Sequence, residues 1–193
     1  MDVALIKQAF DGFGNRLDAV AATQWTAETP CADWNVRTLV NHVVAELLWV
    51  APLLDGKTTA DIGDQFDGDV LGSDARLTWQ SVAAQAMAAA SQPGAQERTT
   101  HLSFGDFPGS DYLGQVTSDV MIHAWDLARA IGVDDRFEAG LADFVRDFLS
   151  PQVEAWRAAG AFGPVAEVGP DASVQDSLLA KTGRSPVWRP KRA

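Results

Sequence analysis

The most regularly patterned stretch of the chain is SDYLGQVTSDVMIHAWDLARAIG, residues 110–132. Its apolar residues recur at spacings of three and four, which predicts an amphipathic α-helix that begins at Ser110 or Asp111 and ends at Gly132. The core-facing stripe consists of Leu113, Val116, Val120, His123, Leu127 and Ile131. A histidine therefore stands among the residues that are expected to face the core.

Three further segments carry the same helical periodicity. Their stripes are Val3, Ile6, Phe10, Phe13, Leu17 and Val20 in the first, Val36, Leu39, Val40, Val43, Leu47, Val50 and Leu54 in the second, and Leu77, Val82, Ala86 and Met87 in the third. Asp33 or Asn35 is expected to cap the second helix and Asp74 the third. Four amphipathic helices of this kind predict an all-α fold, an up-down four-helix bundle.

The segments between and after these helices are expected to be less regular. Residues 55–72 are rich in Asp and Gly and predict a long loop, and residues 99–109 predict an extended or looped segment. An additional C-terminal helix is expected over residues 138–158, bent or split at Pro151. An irregular tail follows, with a short helical piece around residues 175–181.

These elements predict a single helical domain over residues 1–193. Residues 1–158 supply the helices of the bundle, and residues 159–193 are expected to pack on it as a tail.

Charge and cysteine content narrow the functional classes. The 193-residue chain carries 26 acidic against 15 basic residues, a formal net charge of −11, which argues against binding to nucleic acid and to an anionic membrane. No apolar run is expected to reach the ~20 residues of a membrane span, and the N-terminus shows no secretory signal. Cys31 is the one cysteine, so no internal disulfide forms. A cytoplasmic protein is therefore expected.

Acidic residues and histidines recur on the inner faces of the second and fourth helices. Asp119 lies one turn before His123, and Asp126 follows three residues after it. On the second helix, His42 lies at the edge of the stripe and Glu46 one turn beyond it. Such groups are costly to bury unless they are paired or bound to something. Two interpretations stay open here: a divalent metal site between facing helices, or a buried Asp–His pair.

Two segments resemble motifs of the mycothiol-dependent maleylpyruvate isomerase family, of the N-terminal-domain type. Residues 29–42, TPCADWNVRTLVNH, are similar to the pattern T-P-C-x-x-W-x-V-x-x-L-x-x-H, and residues 123–128, HAWDLA, to H-x-W-D-L-A. The tail DASVQDSLLAKTGRSP, residues 171–186, resembles the end of a short actinobacterial branch of that family. The likeness runs from the end of the first helix nearly to the C-terminus.

This family is similar to the larger DinB-like superfamily, whose four-helix bundles hold a divalent metal through three side chains. The resemblance implies one metal ligand from the second helix, His42, and two from the fourth, Asp119 and His123. Zinc is the first expectation for the metal and nickel the second, and mycothiol is the implied thiol cosubstrate. Asp119 stands where the family pattern has Glu, so a carboxylate is kept on a side chain that is one methylene shorter.

The expected function is a metal-dependent thiol transferase or isomerase that acts on a small electrophilic molecule, because a metal with an open position makes a bound thiol a stronger acid. The alternatives are a hydrolase that uses metal-activated water and a non-enzymatic metal-binding bundle. Full-length isomerases of the family carry a C-terminal domain with an anion-binding arginine, which these 193 residues do not include. The resemblance therefore supports the metal core more strongly than it supports the isomerase reaction.

Several residues are candidates for supporting roles. Glu46 and Asp126 are expected to orient the ligands, with an ion pair to Arg129 or a helix-packing bond as the alternative for Asp126. His101 is interpreted first as a surface residue, with a place in the pocket as the alternative. Cys31 is interpreted as a small packing residue, with a nucleophilic role as the alternative. Arg184 is either an anchor for the tail or a contact for an anion at the pocket mouth. The oligomeric state stays open, with a homodimer as one alternative.

Overall fold

A computed structural model describes residues 1–138 and 140–191. Their secondary structure comprises α1 (Val3–Asp18), α2 (Val36–Leu48), α3 (Val50–Leu54), α4 (Thr59–Ile62), α5 (Ala75–Ala90), β1 (Thr99–Leu102), β2 (Gly105–Pro108), α6 (Gly109–Ile131), α7 (Leu141–Leu149), α8 (Val153–Ala158) and α9 (Val174–Lys181). The two strands pair in antiparallel register, with Thr99 opposite Pro108 and Leu102 opposite Gly105.

The long helices α1, α2, α5 and α6 pack together as the predicted four-helix bundle, so the all-α fold is confirmed. Helix α6 is the central element because it packs against α1, α2 and α7, while the hairpin of β1 and β2 covers its beginning. Its predicted stripe lies in the core, from Leu113 through Val120 to Leu127. His123 is buried with it, which places an imidazole inside the bundle.

Polar caps and a glycine fix the ends of the helices that carry the site. The Asn35 side chain accepts a hydrogen bond from the backbone N–H of Thr38 and caps α2, which selects Asn35 over Asp33. Asp74 caps α5 as predicted. Gly132 ends α6 in the left-handed conformation, with φ 76°, as the sequence predicts for a C-terminal glycine.

Three details differ from the sequence-based expectations. The predicted long loop contains the short helix α4, which Thr58 and Asp61 stabilise by a reciprocal capping box. Helix α6 begins at Gly109, one residue before the predicted start. Leu77 is 63% exposed rather than buried, because the core face of α5 runs through Trp79, Val82, Ala86 and Ala90.

The C-terminal helix is split at Pro151 into α7 and α8, as predicted. Residue 139 of the predicted span, and residues 192–193 of the predicted tail, lie outside the described residues. Helix α9 packs against α7 and buries Leu178, Leu179 and Ala180. The chain beyond the bundle is thereby held close to α6.

The segment Val36–Leu54 consists of α2, Trp49 and α3. By length and composition alone it could cross a membrane, with 19 residues and a mean hydropathy of 1.2. The expectation that no apolar run reaches this length is therefore wrong by that measure. The finding is weak evidence for a membrane span, because Val43, Leu47 and Val50 lie in the bundle core and buried core helices meet the same criterion.

Candidate metal centre

His42, Asp119 and His123 meet where α2 packs against α6. Asp119 and His123 share one face of α6 because they lie one turn apart, and His42 approaches from the facing helix. One ligand atom from each of the three lies within 4.8 Å of the other two. We call these three residues the ligand triad.

The spacing within the ligand triad is compatible with a bound divalent ion. His42 Nε2 lies 3.5 Å from Asp119 Oδ2, and His123 Nε2 lies 3.3 Å from Asp119 Oδ1. N–H···O hydrogen bonds are most frequent at about 2.9–3.0 Å. Bonds of about 2.0–2.2 Å to a tetrahedral zinc ion place neighbouring ligand atoms about 3.4 Å apart. Both measured separations are longer than a typical hydrogen bond and close to that edge, and the two histidines face different oxygens of the Asp119 carboxylate.

An unpaired carboxylate oxygen also fits a metal ion. Asp119 Oδ2 is buried and has no hydrogen-bond partner among the described residues, a situation that costs about 1–3 kcal/mol or more for a charged group. The His42 and Asp119 side chains remain 29% and 35% exposed, and both line the adjoining cavity. Two imidazoles and one carboxylate are donors typical of zinc and similar ions, with a fourth position left open to the cavity.

The other ring nitrogen of His123, Nδ1, contacts a buried carboxylate. His123 Nδ1 lies 2.9 Å from Asp126 Oδ2, and Asp126 is 0% exposed. The same oxygen accepts hydrogen bonds from Arg184 at 3.1 Å and from the Cys31 thiol at 3.1 Å. We call Cys31, Asp126 and Arg184 the support cluster. Since Asp126 binds Nδ1, it fixes the ring of His123 so that Nε2 faces His42 and Asp119.

The charges of the two groups depend on one another. Burial alone would raise the pKa of Asp119, but the nearby imidazoles of His123 and then of His42 bring that pKa well below its usual range. Burial opposes the charge of His123, yet Asp119 raises the pKa of His123 well above its ordinary value. The protein alone therefore favours a charged Asp119 beside a protonated His123, and a metal ion must displace that proton in order to bind.

A second group of donors, Cys31, His123 and Asp126, also brings ligand atoms within 4.8 Å of one another. The Arg184 guanidinium lies 3.1 Å from Asp126 Oδ2 and 3.6 Å from Cys31 Sγ. A second cation at that position would meet this permanent positive charge at close range. The ligand triad is therefore the better candidate for a metal.

Two adjoining cavities surround the ligand triad. The larger, about 650 Å³, is lined by the triad and by residues of the loop before α2 and of the C-terminal segment. The smaller, about 350 Å³, shares Gln115, Asp119, Trp156 and Ala161 with it. Trp34 packs over both imidazoles, with ring centroids 4.8 Å from His42 and 5.6 Å from His123.

Two of the remaining candidate residues occupy different places. Glu46 lines the smaller cavity, where burial and the neighbouring Asp119 raise its pKa. His101 lies on β1 and pairs with Asp106 Oδ1 at 2.8 Å. It lines neither of the two cavities around the triad, so the structure does not bring His101 to the site.

The two irregular segments, residues 55–72 and 99–109, differ in whether they reach the cavities. Phe104, at the turn between β1 and β2, lines the smaller cavity. The residues that line the two cavities include none from 55–72. Of the segments 55–72 and 99–109, only the hairpin reaches these cavities among the described residues.

Sequence reasoning did not place Cys31 and Arg184 together at the site. Arg184 lies 58 residues beyond Asp126 in the chain, a separation on which helical periodicity carries no information. Its position depends on Gly183, which has a φ of 82° and whose added Cβ would come 2.9 Å from the backbone of Gly163. The glycine in the Gly-Arg-Ser-Pro segment was the one local signal that the backbone turns closely there.

Solved structures agree with the fold. Crystal structures of the mycothiol-dependent maleylpyruvate isomerase and of a histidine-to-alanine mutant of it are similar to this chain, both with a TM-score of 0.63 and with 17% and 16% sequence identity. The similarity covers 84% of this chain and 72% of each isomerase chain. At this identity the likeness concerns the fold.

Sequence relatives give the family. Two proteins of Mycobacterium tuberculosis, from strains CDC 1551 / Oshkosh and ATCC 25618 / H37Rv and both named as uncharacterized, are 33% identical over 140 residues, which are 70% of this chain and 70% of each relative. The sequence model described as mycothiol maleylpyruvate isomerase N-terminal domain matches residues 6–128, a span that includes the whole ligand triad. Because this match covers well over half of the sequence, the chain belongs to the mycothiol maleylpyruvate isomerase N-terminal domain family.

Proposed function

We propose that this chain is a divalent-metal-dependent enzyme that uses mycothiol in a transfer or isomerisation reaction of a small electrophilic molecule. The observation that carries the proposal is the spacing of the ligand triad, with histidine nitrogens 3.3 Å and 3.5 Å from the Asp119 carboxylate. The thiol is proposed from the family description and from the name of the structurally similar isomerase.

The proposed reaction requires mycothiol to react as a thiolate near neutral pH. A divalent ion bound by His42, Asp119 and His123, with zinc as the first candidate and nickel as the second, would supply positive charge that lowers the pKa of a thiol beside it. Asp126 holds the ring of His123 in one orientation through Nδ1. Trp34 covers both imidazoles and limits the access of water from that side.

The larger cavity offers room for the thiol cosubstrate. Its volume of about 650 Å³ lies within the range of ~300–1,000 Å³ that is typical of small-molecule sites. In a transfer reaction the sulfur forms a bond to an electrophilic carbon, the leaving group departs with the bonding electron pair, and the thiol proton passes to solvent. In an isomerisation the same carbon–sulfur bond forms and later breaks, which returns the thiol.

A conjugation assay tests the proposal. The purified protein is analysed for bound metal and then mixed with mycothiol and monochlorobimane, which becomes fluorescent when the thiol displaces its chloride. We expect conjugation above the uncatalysed rate, its loss after treatment with a chelator, and its recovery on addition of Zn²⁺ or Ni²⁺. His42→Ala is expected to lose the activity. His101→Ala is the matched control, because it removes an imidazole that lies outside both cavities, and it should retain the activity.

The other outcomes separate the competing functions. Metal-dependent hydrolysis of p-nitrophenyl acetate without conjugation would replace the proposal by a hydrolase with metal-activated water. Stoichiometric metal with neither activity would replace it by a non-enzymatic metal-binding bundle. Failure to bind any divalent metal on titration would overturn all of these functions.

A further inference from the structure

Glu46 is a half-buried residue whose carboxyl group has no use in the function proposed above. It lies on α2, one turn after His42. The carboxyl group has neither a hydrogen-bond partner nor an ion-pair partner among the described residues, and its oxygens are not among the fully buried atoms that lack a partner. The carboxyl group is therefore open. Of the two cavities around the ligand triad, Glu46 lines the smaller and not the larger.

The smaller cavity has the size and the walls of a small-molecule site, and we call it the slot. Its volume is about 350 Å³, within the range of ~300–1,000 Å³ that is typical of such sites. A cavity of ~150 Å³ with apolar walls is enough for a benzene-sized molecule, so the slot has room for a ring with a short substituent. Its apolar walls come from Phe104, Tyr112, Val116, Trp156, Ala159 and Ala161.

The slot adjoins the candidate metal centre. Asp119 and Gln115 line both the slot and the larger cavity. A molecule seated in the slot would therefore lie beside the place where the proposed thiol is activated. The slot is thus a place for the reaction partner of a thiol that binds in the larger cavity.

The charges around the slot are of one sign. The described residues that line it include Glu46 and Asp119 and no lysine, arginine or histidine. Arg184 lines the larger cavity instead, where it donates to Asp126 at 3.1 Å. A metal ion bound to Asp119 would balance the charge of that carboxylate, which leaves Glu46 as the unpaired charge beside a molecule in the slot. Two like charges at close range repel each other strongly where little water separates them.

We infer that Glu46 is a specificity-determining residue whose carboxylate excludes anionic groups from the slot, so that the part of the electrophilic substrate seated there is uncharged and largely apolar. An apolar ring gains from contact with the walls of the slot. A carboxylate would lose its hydration there and would meet the like charge of Glu46. This inference rests on the proposed function for the identity of the reaction, and on the slot and Glu46 alone for the binding.

Three probes of nearly the same planar shape test the inference without any thiol: nitrobenzene is neutral, benzoate is an anion and benzamidinium is a cation. Each is titrated by NMR into protein that carries ring-¹³C tyrosine. Tyr112 is the one tyrosine of the chain and lines the slot, so its ring signals report a bound aromatic molecule. The titrations are made at pH ~8, because burial and then Asp119 raise the pKa of Glu46 and the carboxyl group must be charged. We expect nitrobenzene to shift the Tyr112 signals and to bind at least about 10-fold (~1.4 kcal/mol) more tightly than benzoate.

Two variants make the test specific to the charge of Glu46. In Glu46→Gln the affinity for benzoate should rise about 10-fold and that for benzamidinium should fall by a similar factor, while that for nitrobenzene stays within about twofold. A change in the shape or the stability of the slot would instead move all three affinities in the same direction. Glu97→Gln is the matched control, because it removes the same charge from an exposed residue that lines neither cavity. It should bind the three probes as the wild type does.

Three results would overturn the inference: no shift of the Tyr112 signals by nitrobenzene, equal affinity of the wild-type protein for nitrobenzene and benzoate, or an unchanged ratio of these affinities in Glu46→Gln. An equal change in Glu97→Gln would also overturn it, because the effect would then come from the net charge of the protein. Since the measurement contains no mycothiol and no reaction, a protein that fails the conjugation assay can still show this selectivity. A protein that conjugates mycothiol can equally fail this test.

Discussion

The two ring nitrogens of His123 face neighbourhoods of opposite character. On the Nε2 side, the ligand triad is loosely spaced, with 3.3 Å between His123 and Asp119, and opens on the larger cavity. On the Nδ1 side, the carboxylate is enclosed and fully paired, with Asp126 at 2.9 Å and 0% exposed, while Cys31 and Arg184 of the support cluster also line the larger cavity. One imidazole therefore joins an open group of donors to a fully satisfied one.

The difference lies in how each carboxylate is balanced. Arg184 is permanently charged and balances Asp126 without help from a ligand. Asp119 is balanced only while a histidine is protonated, and a metal ion can replace that proton. The comparison teaches that similar carboxylates on one helix serve different purposes: Asp126 orients His123, while Asp119 is left available for a ligand.

Removal of His123 is expected to have the largest effect, because it disrupts both neighbourhoods. In His123→Ala the affinity for Zn²⁺ should fall by about two to four orders of magnitude, since the ~10–16 kcal/mol typical of a bound zinc is shared among three or four ligands. Isothermal titration calorimetry with a competing chelator measures it, after a thermal melt has shown that the variant is folded. His101→Ala should bind as the wild type does. Unchanged affinity in His123→Ala would place the metal site elsewhere.

Acidification should weaken the support cluster in a defined pH window. Burial opposes the charge of Asp126, but Arg184 and then His123 lower its pKa from 3.8 to about 2. A depressed pKa gives stability that is present above the unfolded value of 3.8 and is lost as pH falls towards about 2. The full loss amounts to roughly 2 kcal/mol.

The measurement is the free energy of unfolding by urea between pH 6 and the lowest pH at which the protein is folded. Asp126→Asn is less stable at every pH, because Arg184 is left without its partner. Its stability should nevertheless fall less steeply below pH ~4 than that of the wild type. Parallel curves for the two proteins would show that Asp126 does not carry this dependence.

The parts of this molecule that follow from local rules could be predicted from the sequence. The stripe of α6 and the proximity of Asp119 to His123 both follow from the pitch of a helix. The same pitch led to the wrong orientation of Leu77, because the thin apolar pattern of an alanine-rich helix does not determine which face meets the core. There Trp79 decides the matter by packing on Phe10 and Phe13.

The non-local parts of the site could not be derived in this way. His42 joins Asp119 through the packing of α2 on α6. Helical periodicity placed His42 at an inner edge of its helix, but only the family resemblance named it as a ligand together with Asp119. The contacts of Arg184 with Asp126 and of Cys31 with His123 span 58 and 92 residues. They exist because a tail turned at Gly183 and a loop before α2 converge on the same end of α6.

Substitution of Cys31 is expected to have the smallest effect and sharpens the comparison most. Cys31→Ala should change the affinity for Zn²⁺ by less than about threefold, because a thiol is a weak donor and Asp126 keeps its bonds to His123 and Arg184. It should lower the free energy of unfolding by about 1 kcal/mol for the lost hydrogen bond.

If the metal instead lay between Cys31, His123 and Asp126, the affinity would fall as far as in His123→Ala. Calorimetry on the two variants side by side therefore decides which nitrogen of His123 faces the metal. If Cys31→Ala kept its metal but lost mycothiol conjugation, the Cys31 thiol would have a chemical role instead.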